Sequence, residues 1–331
     1  MKIFFMRGRY NMTKNEIELR INQLNTEAGN SLYAMIYFIL QKGNNFEIVL
    51  ADIDQNLQPE IATVWMKSMQ ENLNDDEKTV INLSSADNRK NVIYQYDLEE
   101  YTQLLEMMKN PISNETRKFD FRNDNFDEIF GFIIKIGLAN NNFSIFRKNY
   151  PISLISKDKS FNLSRTGDHH RLVKINEDIL KINFQIDFFI IDGLLFICNL
   201  NVLERYFNFH EVIKNQAQKS IEIIEESGLL EDIEPLKASL ENTSFARKLI
   251  RITTGSQVIS KIPNNVIIDY TKTNSVLKGK FSYNASGDKI VLTTKKARDY
   301  FLKIMNDDIL ISELTKNYYD SLAKDIIQTE E

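Results

Sequence analysis

Two apolar runs, residues 182–191 and 194–200, are separated by nothing but Asp192-Gly193. Both members of an Asp-Gly pair tolerate positive φ, so the pair forms the tight turn whose twist matches two antiparallel strands. A hairpin here demands a sheet for its two apolar strands to join. Two more hairpins have the same form. Lys42-Gly43-Asn44-Asn45 divides apolar residues 32–40 from 46–52, and Ala139-Asn140-Asn141-Asn142 divides 129–136 from 143–150. Strands are also predicted at 79–83 and 91–96. Residues 16–24 alternate, with Ile17, Leu19 and Ile21 on one side, which predicts a further half-buried strand.

Helical spacing appears between these runs. Ile61, Val64, Trp65, Met69 and Leu73 follow Pro59 at the right intervals for a helix over 57–73. A second helix is expected from Asp97 as its cap, a long helical stretch from 201 to 251, and a last helix over 294–305. A fourth hairpin is expected at 279–283 and 289–293. The expected class is α+β: a mixed sheet-and-helix region over 1–165, then a hairpin-and-helix region over 166–331. The boundary is placed at the loop-like Thr166-Gly167-Asp168-His169-His170.

With 43% hydrophobic residues, 21 Phe and 13 Tyr among 331 residues, the chain has ample material for a packed core. Eleven Gly and five Pro are too few for a long flexible linker. Cys198 is the sole cysteine, so no disulfide framework exists, and its apolar surroundings predict an inert buried thiol in a cytoplasmic protein. No apolar span reaches the length of a membrane helix, residues 1–9 do not suit a signal peptide, and Met12 is a possible start.

Catalytic patterns are absent. The sequence has no P-loop, G-x-G-x-x-G, C-x-x-C, H-E-x-x-H or G-x-S-x-G motif. His169 and His170 are adjacent and would point to opposite sides of an extended chain. Asp187 and Asp192 are an odd number of residues apart and fall on opposite faces of a strand, which does not suit two carboxylates converging on one metal. No cofactor and no catalytic residue are therefore assigned.

Charge is more informative. Residues 245–305 carry twelve Lys or Arg against three Asp, a local +9 in a chain of net −5. The flanks reverse sign, with nine acids and four bases over 201–244 and seven acids and two bases over 306–331. This alternation points to a polyanion-binding face. The candidate DNA contacts are Arg247, Lys248, Arg251, Lys278, Lys280, Lys289, Lys295, Lys296 and Arg298. Arg247 and Arg251 share a helical face, and Lys278 and Lys280 would open the fourth hairpin on one side of a strand. Lys295, Lys296 and Arg298 stand at the start of the last helix, the end where cations oppose the helix dipole. Helices followed by a basic hairpin resemble a winged-helix arrangement. An ordinary solubilising role is the alternative for each lysine taken singly.

Several stretches carry a family resemblance. They are Phe146-Arg147-Lys148-Asn149-Tyr150-Pro151, Ile186-Asp187-Phe188-Phe189-Ile190 with Leu203-Glu204-Arg205-Tyr206-Phe207, Phe245-Ala246-Arg247-Lys248-Leu249, and a tail containing Asn306-Asp307-Asp308 and Tyr319-Asp320-Ser321-Leu322. The chain resembles the KwaB-like family of the Kiwa anti-phage defence system. The resemblance implies a bacterial defence protein that binds DNA and works beside a multi-pass KwaA-like membrane protein, which would bring it to the inner membrane. The basic segment points to double-stranded DNA as the partner, and a metal-dependent nuclease effector or a non-DNA-binding adaptor of a membrane sensor is the alternative. It names no functional residue. A cytosolic face of a membrane protein carries excess Lys and Arg, so the acids Glu225, Glu226, Glu231 and Asp232 are the expected docking points. The apolar runs also leave material for a homo-oligomer interface.

Overall fold

The computed structural model describes residues 11–28, 32–74, 78–85, 91–109, 116–138, 141–150, 154–155, 163–165, 172–175, 179–254, 258–311 and 318–320. The residue 166–170 loop with its two histidines, the first nine residues and residues 321–331 of the tail lie outside them. The fold is α+β, as expected. Its strands are β1 (Tyr33–Lys42), β2 (Asn45–Leu50), β3 (Thr79–Asn82), β4 (Val92–Gln95), β5 (Ile129–Leu138), β6 (Asn141–Lys148), β7 (Leu154–Ile155), β8 (Leu163–Arg165), β9 (Leu172–Lys174), β10 (Ile179–Leu180), β11 (Phe188–Ile191), β12 (Leu194–Ile197), β13 (Ser282–Tyr283), β14 (Ile290–Val291), β15 (Ile309–Ile311) and β16 (Tyr318–Asp320). Its helices are α1 (Lys14–Ala28), α2 (Gln58–Leu73), α3 (Gln103–Lys109), α4 (Leu200–Tyr206), α5 (Phe209–Glu226), α6 (Glu234–Lys237), α7 (Thr243–Thr254), α8 (Val258–Lys261), α9 (Asn264–Thr273) and α10 (Lys295–Met305). The chain forms two compact units. One comprises Met1–Val80, Asn91–Tyr96 and Gln103–Phe207, and the other Ile81–Lys90, Asp97–Thr102 and Asn208–Glu331.

The first unit is built on an eight-stranded sheet of order β2-β1-β5-β6-β11-β12-β4-β3. The three hairpins read from turn residues pair antiparallel. Gly43, Asp192 and Gly193 all hold the positive φ that their turns require. Helices α1 and α2 cover the sheet with Ile17, Ile21, Trp65, Met66 and Met69 against Ile36, Phe38, Phe132 and Ile134. A second aromatic layer joins Phe130, Phe146, Phe188 and Phe207 at centroid distances of 5.1–6.5 Å. Gly131 is required where β5 approaches β6, since a Cβ there would sit 2.6 Å from the Phe146 ring and 2.9 Å from the Arg147 carbonyl.

Residues 16–24 are helix, not strand. Ile17, Ile21 and Leu24 are buried at a spacing of four and three, whereas Leu19 is 59% exposed. The start is a capping box: Glu16 accepts from the Thr13 amide and hydroxyl at 2.6 and 2.8 Å, and Thr13 Oγ1 accepts from the Glu16 amide at 3.3 Å. Asp97 does not cap a helix. It accepts from the Ser84 amide and hydroxyl, and α3 starts six residues later at Gln103. The stretch from 201 to 251 is four helices, broken at Asn208 and Gly228, both with positive φ, and again over 238–242.

Next to Phe146 and Phe188 in the sequence, Arg147 and Asp187 form a buried ion pair. Arg147 Nη1 donates to both Asp187 carboxylate oxygens at 3.0 and 2.9 Å, and its other nitrogens donate to Asn183 Oδ1 and Gln185 Oε1 at 2.8 Å each. Asp187, 1% exposed, also accepts from the Lys148 amide at 2.8 Å and Asn199 Nδ2 at 2.9 Å. Lys148 extends beside it, with Nζ donating to the Phe130 and Asn149 carbonyls and lying 4.2 Å from the Phe130 ring centre. Burial pushes its amine down to about 8.

The second unit packs α5 on α7, where Ser220 and Thr253 share a hydrogen bond of 2.7 Å. Its hairpin β13–β14 has two residues per strand, and Ile290 also bridges Leu230 in parallel. No helix among the described residues is long and apolar enough to cross a membrane.

Candidate nucleic-acid interface

Helix α7 begins at an Asn242 cap, whose Oδ1 accepts from the Phe245 amide at 3.1 Å. Its Ala246, Leu249, Ile250 and Ile252 are buried, and Arg247, Lys248 and Arg251 are half-buried beside them. Helix α10 is capped by Thr294, whose Oγ1 accepts from the Ala297 amide at 3.1 Å. Ala297, Phe301, Leu302 and Met305 face the core. Lys296, Tyr300 and Lys303 recur at intervals of four and three, so they form one outward stripe. Asn306 Nδ2 donates to the Lys248 carbonyl at 3.1 Å and ties the end of α10 to α7.

Between the two helices lies a cleft of about 340 Å³, lined by Lys248, Lys296, Asp299, Tyr300, Leu302, Lys303 and Asp308. Lys280 and Lys303 reach to 6.0 and 5.9 Å from the centre of the Tyr300 ring. Four lysines drawn from three chain segments therefore surround one tyrosine. The two aspartates offset part of this charge.

A family model described as Kiwa protein KwaB-like matches residues 126–315. The Kiwa protein KwaB of Escherichia coli O55:H7 (strain RM12579 / EPEC) is 32% identical over 283 residues, which is 84% of this chain and 90% of that protein. The chain belongs to the KwaB-like family. No solved structure matches it significantly. The matched region of this KwaB-like chain includes the buried ion pair and the whole cleft.

The nine cations read from the sequence take different positions. Lys248 and Lys296 line the cleft, and Lys280 reaches it through Tyr300. Lys295 is exposed on the first turn of α10 and Arg298 is half-buried on the same turn. Arg247 and Arg251 remain on α7. Lys278 and Lys280 are not on a strand. Asn274 folds residues 274–280 into turns, with Oδ1 accepting from the Val276 amide at 2.9 Å and its carbonyl from Leu277 and Lys278, before β13 begins. Lys289 turns to Glu231 at 3.7 Å.

The acids are engaged as well. Glu231 also accepts from Asn284 at 3.4 Å, Glu225 lies 3.6 Å from Lys237, and Asp232 accepts from the Glu234 amide at 2.9 Å at the start of α6. Hydrogen bonding to Glu234, aided by Glu225, raises the Lys237 pKa. Glu226 is exposed. Charge clustering alone does not single out Tyr300, Lys303, Asp299 and Asp308 as site residues, although the Lys296–Tyr300–Lys303 spacing is a signal that could find them. Among the described residues no group of three or more His, Cys, Asp and Glu is placed to hold a metal ion.

Proposed function

We propose that this KwaB-like chain serves anti-phage defence by binding double-stranded DNA through the α7–α10 face, alongside a KwaA-like membrane protein. The observation that carries the reading is the convergence of Lys248, Lys296 and Lys303 on one cleft, with Lys280 near its Tyr300 ring. Lysine ammonium groups are point charges that neutralise phosphates without reading bases, so binding is largely sequence-independent. Each phosphate neutralised releases counterions, and affinity falls with salt at a slope of about 0.9 per phosphate.

A gel-shift titration at roughly 50 and 200 mM salt tests this. Replacing Lys248, Lys296 and Lys303 with Gln is expected to weaken binding and to reduce the salt slope by about one unit for each phosphate left without its lysine. Unchanged affinity in the folded triple variant would move the site elsewhere. Docking on the membrane partner is proposed through Glu225, Glu226, Glu231 and Asp232. Co-sedimentation with membranes that survives Glu225→Gln and Glu226→Gln would refute docking through the α5 end of that set.

A further inference from the structure

A phosphate-binding cleft has no use for Asp299, which repels the backbone that the lysines attract. Asp299 and Tyr300 have a role if the cleft takes a base as well as a phosphate. We propose that the cleft formed by Lys248, Lys296, Asp299, Tyr300 and Lys303 holds one unpaired nucleotide of a DNA strand, with its phosphate on the lysines and its base on Tyr300. The proposal rests on the reading of this face as a DNA interface and specifies what the cleft accepts.

Three features support it. The cleft volume of about 340 Å³ is on the scale of a small-ligand site rather than a duplex groove. Tyr300 is half-buried, and the two ammonium groups near it stand 6.0 and 5.9 Å from the ring centre on long stems. Those stems can swing to a phosphate and leave the ring to a base, and stacking on an aromatic side chain is how proteins hold single strands without strict sequence preference. The Asp299 carboxylate then has a donor to meet, because guanine, adenine and cytosine present amino groups that Asp accepts. Thymine offers an imino N–H and no amino group. In an intact duplex these groups are paired and stacked, so the cleft discriminates between open and closed DNA.

Fluorescence anisotropy with three probes tests the proposal: a mixed guanine–adenine single strand of about fifteen nucleotides, an oligo-dT of the same length, and a blunt duplex. The full chain is expected to prefer the mixed strand over oligo-dT and over the duplex. Tyr300→Leu is expected to weaken single-strand binding about tenfold while duplex binding changes little, and Tyr300→Phe to retain it. Asp299→Asn is expected to narrow the gap between the mixed strand and oligo-dT. A free deoxynucleoside monophosphate that competes as well as the strand would assign the cleft to free nucleotides and overturn the proposal. Equal binding of all three probes, unaffected by Tyr300→Leu, would also overturn it while leaving the phosphate interface intact. Absence of salt-dependent binding to every probe would instead refute the interface itself.

Discussion

Replacing Asp187 with alanine removes the acceptor of four hydrogen bonds from a site that is 1% exposed. Arg147 keeps its hydrogen bonds to Asn183 and Gln185, but its charge stays buried with no counter-charge on the carboxylate side. The Lys148 amide and Asn199 Nδ2 lose their acceptor too. Breaking a buried pair from one side costs about 3–5 kcal/mol, because the remaining charge is uncompensated. The variant should therefore lose about 4 kcal/mol out of a total of about 5–15. For a unit of this size that lowers the melting temperature by roughly 8–16 °C. The pair itself is a different matter, since desolvation of both ions consumes much of their attraction. Arg147→Met combined with Asp187→Leu should recover a substantial part of the loss. Urea titration followed by far-UV circular dichroism measures both variants against the parent. A cost below about 1 kcal/mol for Asp187→Ala, or a double variant no more stable than the single one, would refute the reasoning.

Lys148 ties stability to pH. Its pKa falls from 10.5 unfolded to about 8 folded, so between those values the unfolded chain binds more protons and stability rises with pH. After allowance for solvent screening the rise is about 1–2 kcal/mol between pH 8 and 10, and denaturant midpoints of Lys148→Met should stay flat where those of the parent climb. Gly131→Ala should cost about 1–3 kcal/mol by forcing the Phe146 ring and β6 apart, and a melting temperature unchanged from the parent would show that the strands have room.

The elements legible in the sequence are those announced by local chemistry. Asp192-Gly193 and Gly43 mark turns that need positive φ, and Pro59 marks a helix start. Residues 16–24 mislead because Ile17, Leu19 and Ile21 mimic a period of two over five residues, while the deciding signal, Thr13 with Glu16, lies at the edge of the window. In the cleft, Lys248 and Lys296 are visible as charge. Their meeting with each other and with Lys280 depends on the tertiary packing of α7 and α10, which no spacing rule reports. The turn at 274–280 is hidden for the opposite reason, since the apolar and basic residues after it look like strand until Asn274 bonds its own backbone.

The ion pair between Lys289 and Glu231 couples two surfaces proposed for different partners. Glu231 sits where a phosphate oxygen would compete for the same ammonium group, so occupancy of Lys289 by DNA would release Glu231 from its ion pair. A carboxylate released there adds negative charge to the acidic surface, and a cationic partner bound to Glu231 would in turn release Lys289 toward DNA. The two ligands would then favour each other's binding, by an amount that fades as salt screens the pair.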